Sequence, residues 1–219
     1  MIAQPARLGM MLVATLSLIL AVVSAGLGVA FAFNHYAVEQ FLAGDENAGS
    51  RRDARLAQTL ASRLAPFEAG FHFQQAFFVD SQLCRHRGST CDAQIKELRA
   101  AIARRPYWPF AWQRYAETCV AIGDMSCGIA ALRHAWRFGA NERKVREAAL
   151  RIGLQHWSLL PHGDQAFVAE VIKYVQRFDK KLVEMIANET GTIDLLQTMK
   201  SAALKTDEAG WQIQTAAGG

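Results

Sequence analysis

Apolar positions along this chain fall into two regimes. From Leu8 to Phe33 they run without a charged residue: LGMMLVATLSLILAVVSAGLGVAFAF. From Arg51 onward they recur every three or four positions among polar and charged residues, a spacing that lays one apolar stripe along a helix. A helix over 8–33 would be about 39 Å long at about 1.5 Å per residue. A bilayer core of about 30 Å needs about 20 residues, so this segment is predicted to span a membrane with some tilt or overhang. Ala30-Phe31-Ala32 also satisfies a signal-peptidase site. The apolar core of a signal peptide is only about 7–15 residues, however, and the length favours an uncleaved anchor.

The periodic regime predicts a series of helices. Arg51–Leu64 carries Leu56, Leu60 and Leu64 at helical spacing and is closed by Pro66. Ala69–Leu83 contains Phe71, Phe73, Phe77 and Phe78, and Asp92–Ala103 contains Ile95, Leu98 and Ile102. Phe110–Ile122 carries Trp112, Tyr115, Ala116 and Cys119 on one face, and Gly123-Asp124 breaks it. The next helix presents Gly128, Ala131, Leu132 and Ala135, small residues that allow close helix approach. Gly139-Ala140-Asn141 suits a left-handed C-cap. Arg143–Leu160 and Ala166–Phe178 follow, then a short helix capped by Asp179, then Thr192–Leu204. With five prolines and no alternating strand pattern, the predicted class is all-α. The predicted organisation is a tail (1–7), a transmembrane helix (8–33), a linker (34–50) whose start can continue the helix, a helical domain (51–204) and a flexible tail (205–219).

Counted from Pro109, the residues Trp112, Tyr115, Ala116, Cys119, Gly123, Asp124, Gly128, Leu132 and Ala135 stand at the signature places of a tetratricopeptide repeat, which this stretch resembles. Gly128 stands where Ala is usual and Ala140 where Pro is usual. The preceding hairpin resembles the same unit with about six extra residues at its turn. The resemblance implies a short α-solenoid whose inner groove is lined by first helices, with Phe73, Phe77, Phe110, Gln113 and Glu117 facing it. Such surfaces take peptides or partner helices. A second resemblance runs from Arg105 to Pro161. Arg105-Pro106-Tyr107-Trp108-Pro109-Phe110-Ala111-Trp112, Arg137-Phe138-Gly139, Ile152-Gly153-Leu154-Gln155-His156-Trp157 and Leu160-Pro161 are similar to bacterial VpsP-like proteins of exopolysaccharide biosynthesis. That likeness implies a setting, the envelope polysaccharide pathway, more than a reaction.

The formal charge of +4 is too small to point to nucleic acid, and no zinc-finger or RNP motif accompanies it. The four cysteines sit at helical turns, Cys84 and Cys91 at the first and Cys119 and Cys127 at the second. Two local disulfides in an oxidising compartment are expected, with four buried thiols as the alternative. Arg7 precedes the apolar run, and 34–47 has no Lys or Arg but carries Glu39, Asp45 and Glu46. By the positive-inside rule the domain is expected outside the cytoplasm, in the periplasm of a bacterial inner-membrane, single-pass protein.

The histidines form no HExxH pair, and there is neither a GxSxG elbow nor a phosphate-cradling glycine loop. No catalytic, metal or cofactor residue is therefore assigned, and the protein is not expected to be an enzyme. Tyr107, Trp108, Phe110, Trp112 and Trp136 fit sugar stacking or, more simply, helix packing, with Trp108 and Phe110 the better placed for exposure. The expected role is a membrane-anchored scaffold that binds membrane-protein partners, among them polysaccharide polymerisation or export components. The alternatives are an accessory subunit of a cytochrome-maturation or secretion machine, and a glycan-binding or glycan-modifying protein.

Overall fold

The computed structural model describes residues 4–42, 48–78, 88–199 and 201, and among the described residues every regular element is helical. Helix α1 spans Gln4–Leu42. It is followed by α2 (Ala48–Leu64), α3 (Ala69–Phe78) and α4 (Gly88–Arg104). Next come α5 (Pro109–Ala121), α6 (Met125–Gly139) and α7 (Arg143–Gln155). A 3-10 turn at Trp157–Leu159 leads into α8 (His162–Phe178), α9 (Lys180–Glu189) and α10 (193–199). Each helix packs chiefly on its neighbours in the chain; in addition α5 touches α7, and α7 touches α9.

The helix α1 is one element with two surroundings. Large apolar residues from Met11 to Val23 stand on all its sides and are about half to three-quarters exposed. The apolar stretch Met11–Gln40 is long enough to cross a bilayer or to serve as a signal sequence. Further along, Ala30 and Ala37 are fully buried. Ala37 packs with Ala54 and Ala57 of α2, and Ala30 with Ala61, Ala65 and Phe71. The pairing order shows that α2 runs antiparallel to α1 and returns toward its apolar half. Phe31 meets Phe71 edge-on with ring centroids 5.0 Å apart.

This arrangement reverses the face expected of α2. Leu56, Leu60 and Leu64 are 55%, 43% and 45% exposed, whereas Ala54, Ala57, Gln58 and Ala61 are buried. The small side chains are inside because α1 lies close against them. Gln58 Nε2 donates to the Phe71 carbonyl at 2.9 Å, so that buried amide ties α2 to α3. Gln94 Nε2 does the same for α4 and α3, reaching the Ala76 carbonyl at 2.9 Å.

The main core runs through α3–α10 and includes Ala76, Leu98, Tyr115, Ile129, Leu132, Leu150, Val168, Ile186 and Leu196. Pro109 opens α5 at its first turn, where its fixed φ and missing N–H cost nothing. Gly123 ends the following turn at φ 86°, a conformation that glycine adopts without steric penalty. The side chain of Asp124 then caps α6 by accepting from Cys127 N at 2.9 Å. Asp179 caps α9 in the same way, through Leu182 N at 3.0 Å. The left-handed cap expected at 139–141 does not form: Ala140 is right-handed helical, and neither Gly139 nor Asn141 has positive φ. Gly139 is small for another reason, since a Cβ there would lie 2.5 Å from Pro109 Cβ.

A Cβ at Gly153 would similarly stand 2.6 Å from Val168 Cγ1, while at Gly163 it meets nothing within 4 Å. Gly153→Ala should therefore destabilise the domain by about 1–3 kcal/mol through overpacking of the α7–α8 contact, in spite of the better helix propensity of alanine. Gly163→Ala should be neutral or stabilising by up to about 1 kcal/mol. Urea unfolding of the detergent-solubilised protein, followed by circular dichroism, compares the two.

Candidate functional site

Three first helices of successive hairpins, α3, α5 and α7, line one cleft of about 600 Å³. Its α5 wall is built by Phe110, Gln113, Arg114 and Glu117, which stand at i, i+3, i+4 and i+7 and so share one side of the helix. Arg143, Lys144, Glu147, Ala148 and Arg151 of α7 form the opposite wall, and Phe73 of α3 closes one end. Of the five groove residues expected from the sequence, Phe73, Phe110, Gln113 and Glu117 meet here. The side chain of Phe77 lies outside the described residues.

Part of the polar lining is pre-paired. Glu117 accepts from Gln113 Nε2 at 2.9 Å and from Arg114 Nη1 at 3.1 Å. Arg143 Nε donates to Glu147 Oε1 at 2.7 Å, and this hydrogen bond raises the pKa of the Arg143 guanidinium further, with the charge of Glu147 acting the same way. Arg151 Nη2 reaches Glu189 of α9 at 2.8 Å. The wall thus offers carboxylates and guanidiniums held at fixed positions, with two phenylalanine faces beside them. An amphipathic segment that carries both charge signs and an apolar anchor matches this lining. The α7 cations were not assigned to the groove from sequence, because only the stacking of α7 on α5 brings them opposite Glu117.

The aromatic cluster divides between packing and surface. Trp112 stacks on His134 at 4.4 Å and its Nε1 donates to the Pro106 carbonyl at 2.7 Å. Trp108 packs on Phe73 at 4.5 Å, and Trp136 meets Tyr174 at 5.3 Å. Tyr107 is the exposed member at 74%, a position that the sequence pattern gave to Trp108 and Phe110. Among the described residues, no group of three or more His, Cys, Asp or Glu is arranged to hold a metal ion.

Cys119 and Cys127 form a disulfide across the α5–α6 turn, with Cα atoms 5.7 Å apart. Cys91 is also disulfide-bonded; its expected partner, Cys84, lies outside the described residues. The bond hints at an oxidising compartment. No protein-family model matches the chain, and no curated protein matches it.

Closing the short loop between Cys119 and Cys127 restricts the unfolded chain. The double variant Cys119→Ala, Cys127→Ala should lose about 2–3 kcal/mol of stability. Peptide mapping without reductant should recover a linked Cys119–Cys127 pair, and recovery of both as free thiols would contradict the bond.

Proposed function

We propose that this chain is a membrane-anchored helical-repeat scaffold that holds a protein partner at the bilayer surface. The observation that carries this reading is the double environment of α1. Its first half is apolar on every side and clear of the domain, and its second half is packed against α2 through Ala30 and Ala37. A cleaved signal sequence would take Ala30 and Phe31 away from Ala61, Ala65 and Phe71, leaving an apolar seam open. As an anchor, the helix confines the domain to the membrane and raises its effective concentration beside other membrane components.

The stacking of α5 on α7 and of α7 on α9 supports a tetratricopeptide-like solenoid, since first helices of successive repeats meet in such stacks. The cleft lined by Phe73, Phe110, Gln113 and Glu117 is the partner groove in this reading. The disulfide and the charge distribution around the anchor support a periplasmic domain on a bacterial inner membrane. The resemblance to VpsP-like proteins supports partners in polysaccharide polymerisation or export.

The protein should remain in the membrane pellet after alkaline carbonate washing, and deletion of residues 1–26 should release it. A C-terminal tag on the full chain, purified in mild detergent, should retain a membrane partner. Phe110→Ala combined with Glu117→Lys should reduce that partner by about tenfold or more, as loss of an anchor and reversal of a charge at a groove would. Undiminished recovery would remove the cleft from the account, and recovery of a different envelope machine would replace the polysaccharide assignment.

A further inference from the structure

We infer that the edge of the domain on which α2–α3, α4–α5, α6–α7 and α8–α9 turn rests on the bilayer and takes anionic phospholipid headgroups. This rests on the anchor reading above and adds a second membrane contact, remote from α1 in sequence. Antiparallel helices joined in series place alternate turns at the same end, and side-chain contacts link these four into one edge. Arg104 Nε donates to the Pro66 carbonyl, and Arg105 pairs with Glu68 at 2.9 Å. Tyr107 meets Phe138 at 5.2 Å. Tyr174 continues the line, donating to Asn141 Oδ1 at 2.7 Å and packing on Phe178 at 5.1 Å.

Two properties set this edge apart. The first is exposed aromatic surface: Phe67 is 59%, Tyr107 74% and Phe178 69% exposed. The second is charge. Segments 63–68, 104–108, 137–143 and 177–181 together hold eight Lys and Arg against three Asp and Glu. Of those three carboxylates, Glu68 is paired with Arg105 and Asp179 caps α9. Taken with two flanking helix residues on each side, the described turns at the opposite end, 120–126, 154–163 and 188–194, contain neither Lys nor Arg, and the cations near that end are Arg51 and Arg52 at the start of α2. Basic residues interleaved with aromatic rings suit the headgroup layer, where the rings lie among glycerol and acyl groups and the cations meet phosphate.

The position of α1 selects lipid over an acidic protein. Ala65, in the first of these turns, packs beside Ala30, with Leu27 at the margin of the same cluster. From Leu8 to Leu27 is 20 residues, about 30 Å of helix, which matches the bilayer core. The basic edge therefore begins one bilayer core's length along the apolar run of α1, and it continues from there along the surface plane.

The test uses the full chain in lipid nanodiscs, with the photo-crosslinker p-benzoylphenylalanine placed singly at Tyr107, Phe178, Leu159 or Leu18. Leu159 is 72% exposed at the opposite end and Leu18 reports on α1. Lipid adducts at 107 and 178 should exceed those at 159 by about tenfold or more in discs containing phosphatidylglycerol. They should fall in purely zwitterionic discs, and fall also with Arg177→Glu plus Lys181→Glu. Labelling at 107 and 178 no greater than at 159, with Leu18 still capturing lipid, would overturn the proposal alone. Absence of lipid at Leu18 would overturn the anchor reading beneath it. Labelling that ignores both lipid charge and the Glu substitutions would overturn the headgroup assignment, and capture of a protein at Tyr107 in native membranes would assign the edge to that protein instead.

Discussion

Ala30 and Ala37 of α1 meet Ala54, Ala57, Ala61 and Ala65, and along this seam little more than methyl groups separates two helix backbones. So close an approach gives many small dispersion contacts and leaves no room for a larger residue. It also fixes the height of the domain against α1. The antiparallel return of α2 brings the α2–α3 turn down to the level of Ala30, and every later hairpin is added sideways from there. The seam thus joins the apolar helix to the cleft-bearing helices α3, α5 and α7.

The seam is also where reading the chain by hydrophobicity gave the wrong face. Leu56, Leu60 and Leu64 are the largest apolar residues on α2, and a helical stripe of leucines ordinarily marks the core side. Here the alanines face inward because the neighbouring helix comes too close for leucine, and the leucines are left on the surface. Periodicity reports which residues share a face but not how near the next helix lies. Gly139 teaches the same lesson. Its place at a helix end suggested a left-handed cap, yet its smallness serves contact with Pro109. In both cases the deciding distance is tertiary.

Where the signal was local it was legible. Gly123-Asp124 forms the expected turn, with positive φ at the glycine and a side-chain cap from the aspartate. Asp179 caps α9 through a bond confined to four residues. The α5 side of the cleft was readable because Phe110, Gln113 and Glu117 share one helix. Arg143 and Lys144 were not, since they join the cleft only through the packing of α7 on α5. The charge asymmetry between the described turns at the two ends of the domain was hidden for the same reason. Its cations are scattered from Arg63 to Lys181 and become one edge only when the hairpins stand side by side.

Both membrane contacts depend on α1 being retained and built into the folded domain. The intact mass of the protein purified from its native membrane tests this most directly. A mass that includes the apolar segment 8–33 is the predicted result. A shorter chain that begins beyond Ala32 would show that the segment is removed, and the anchor, the α1–α2 seam and the membrane-facing edge would fall together.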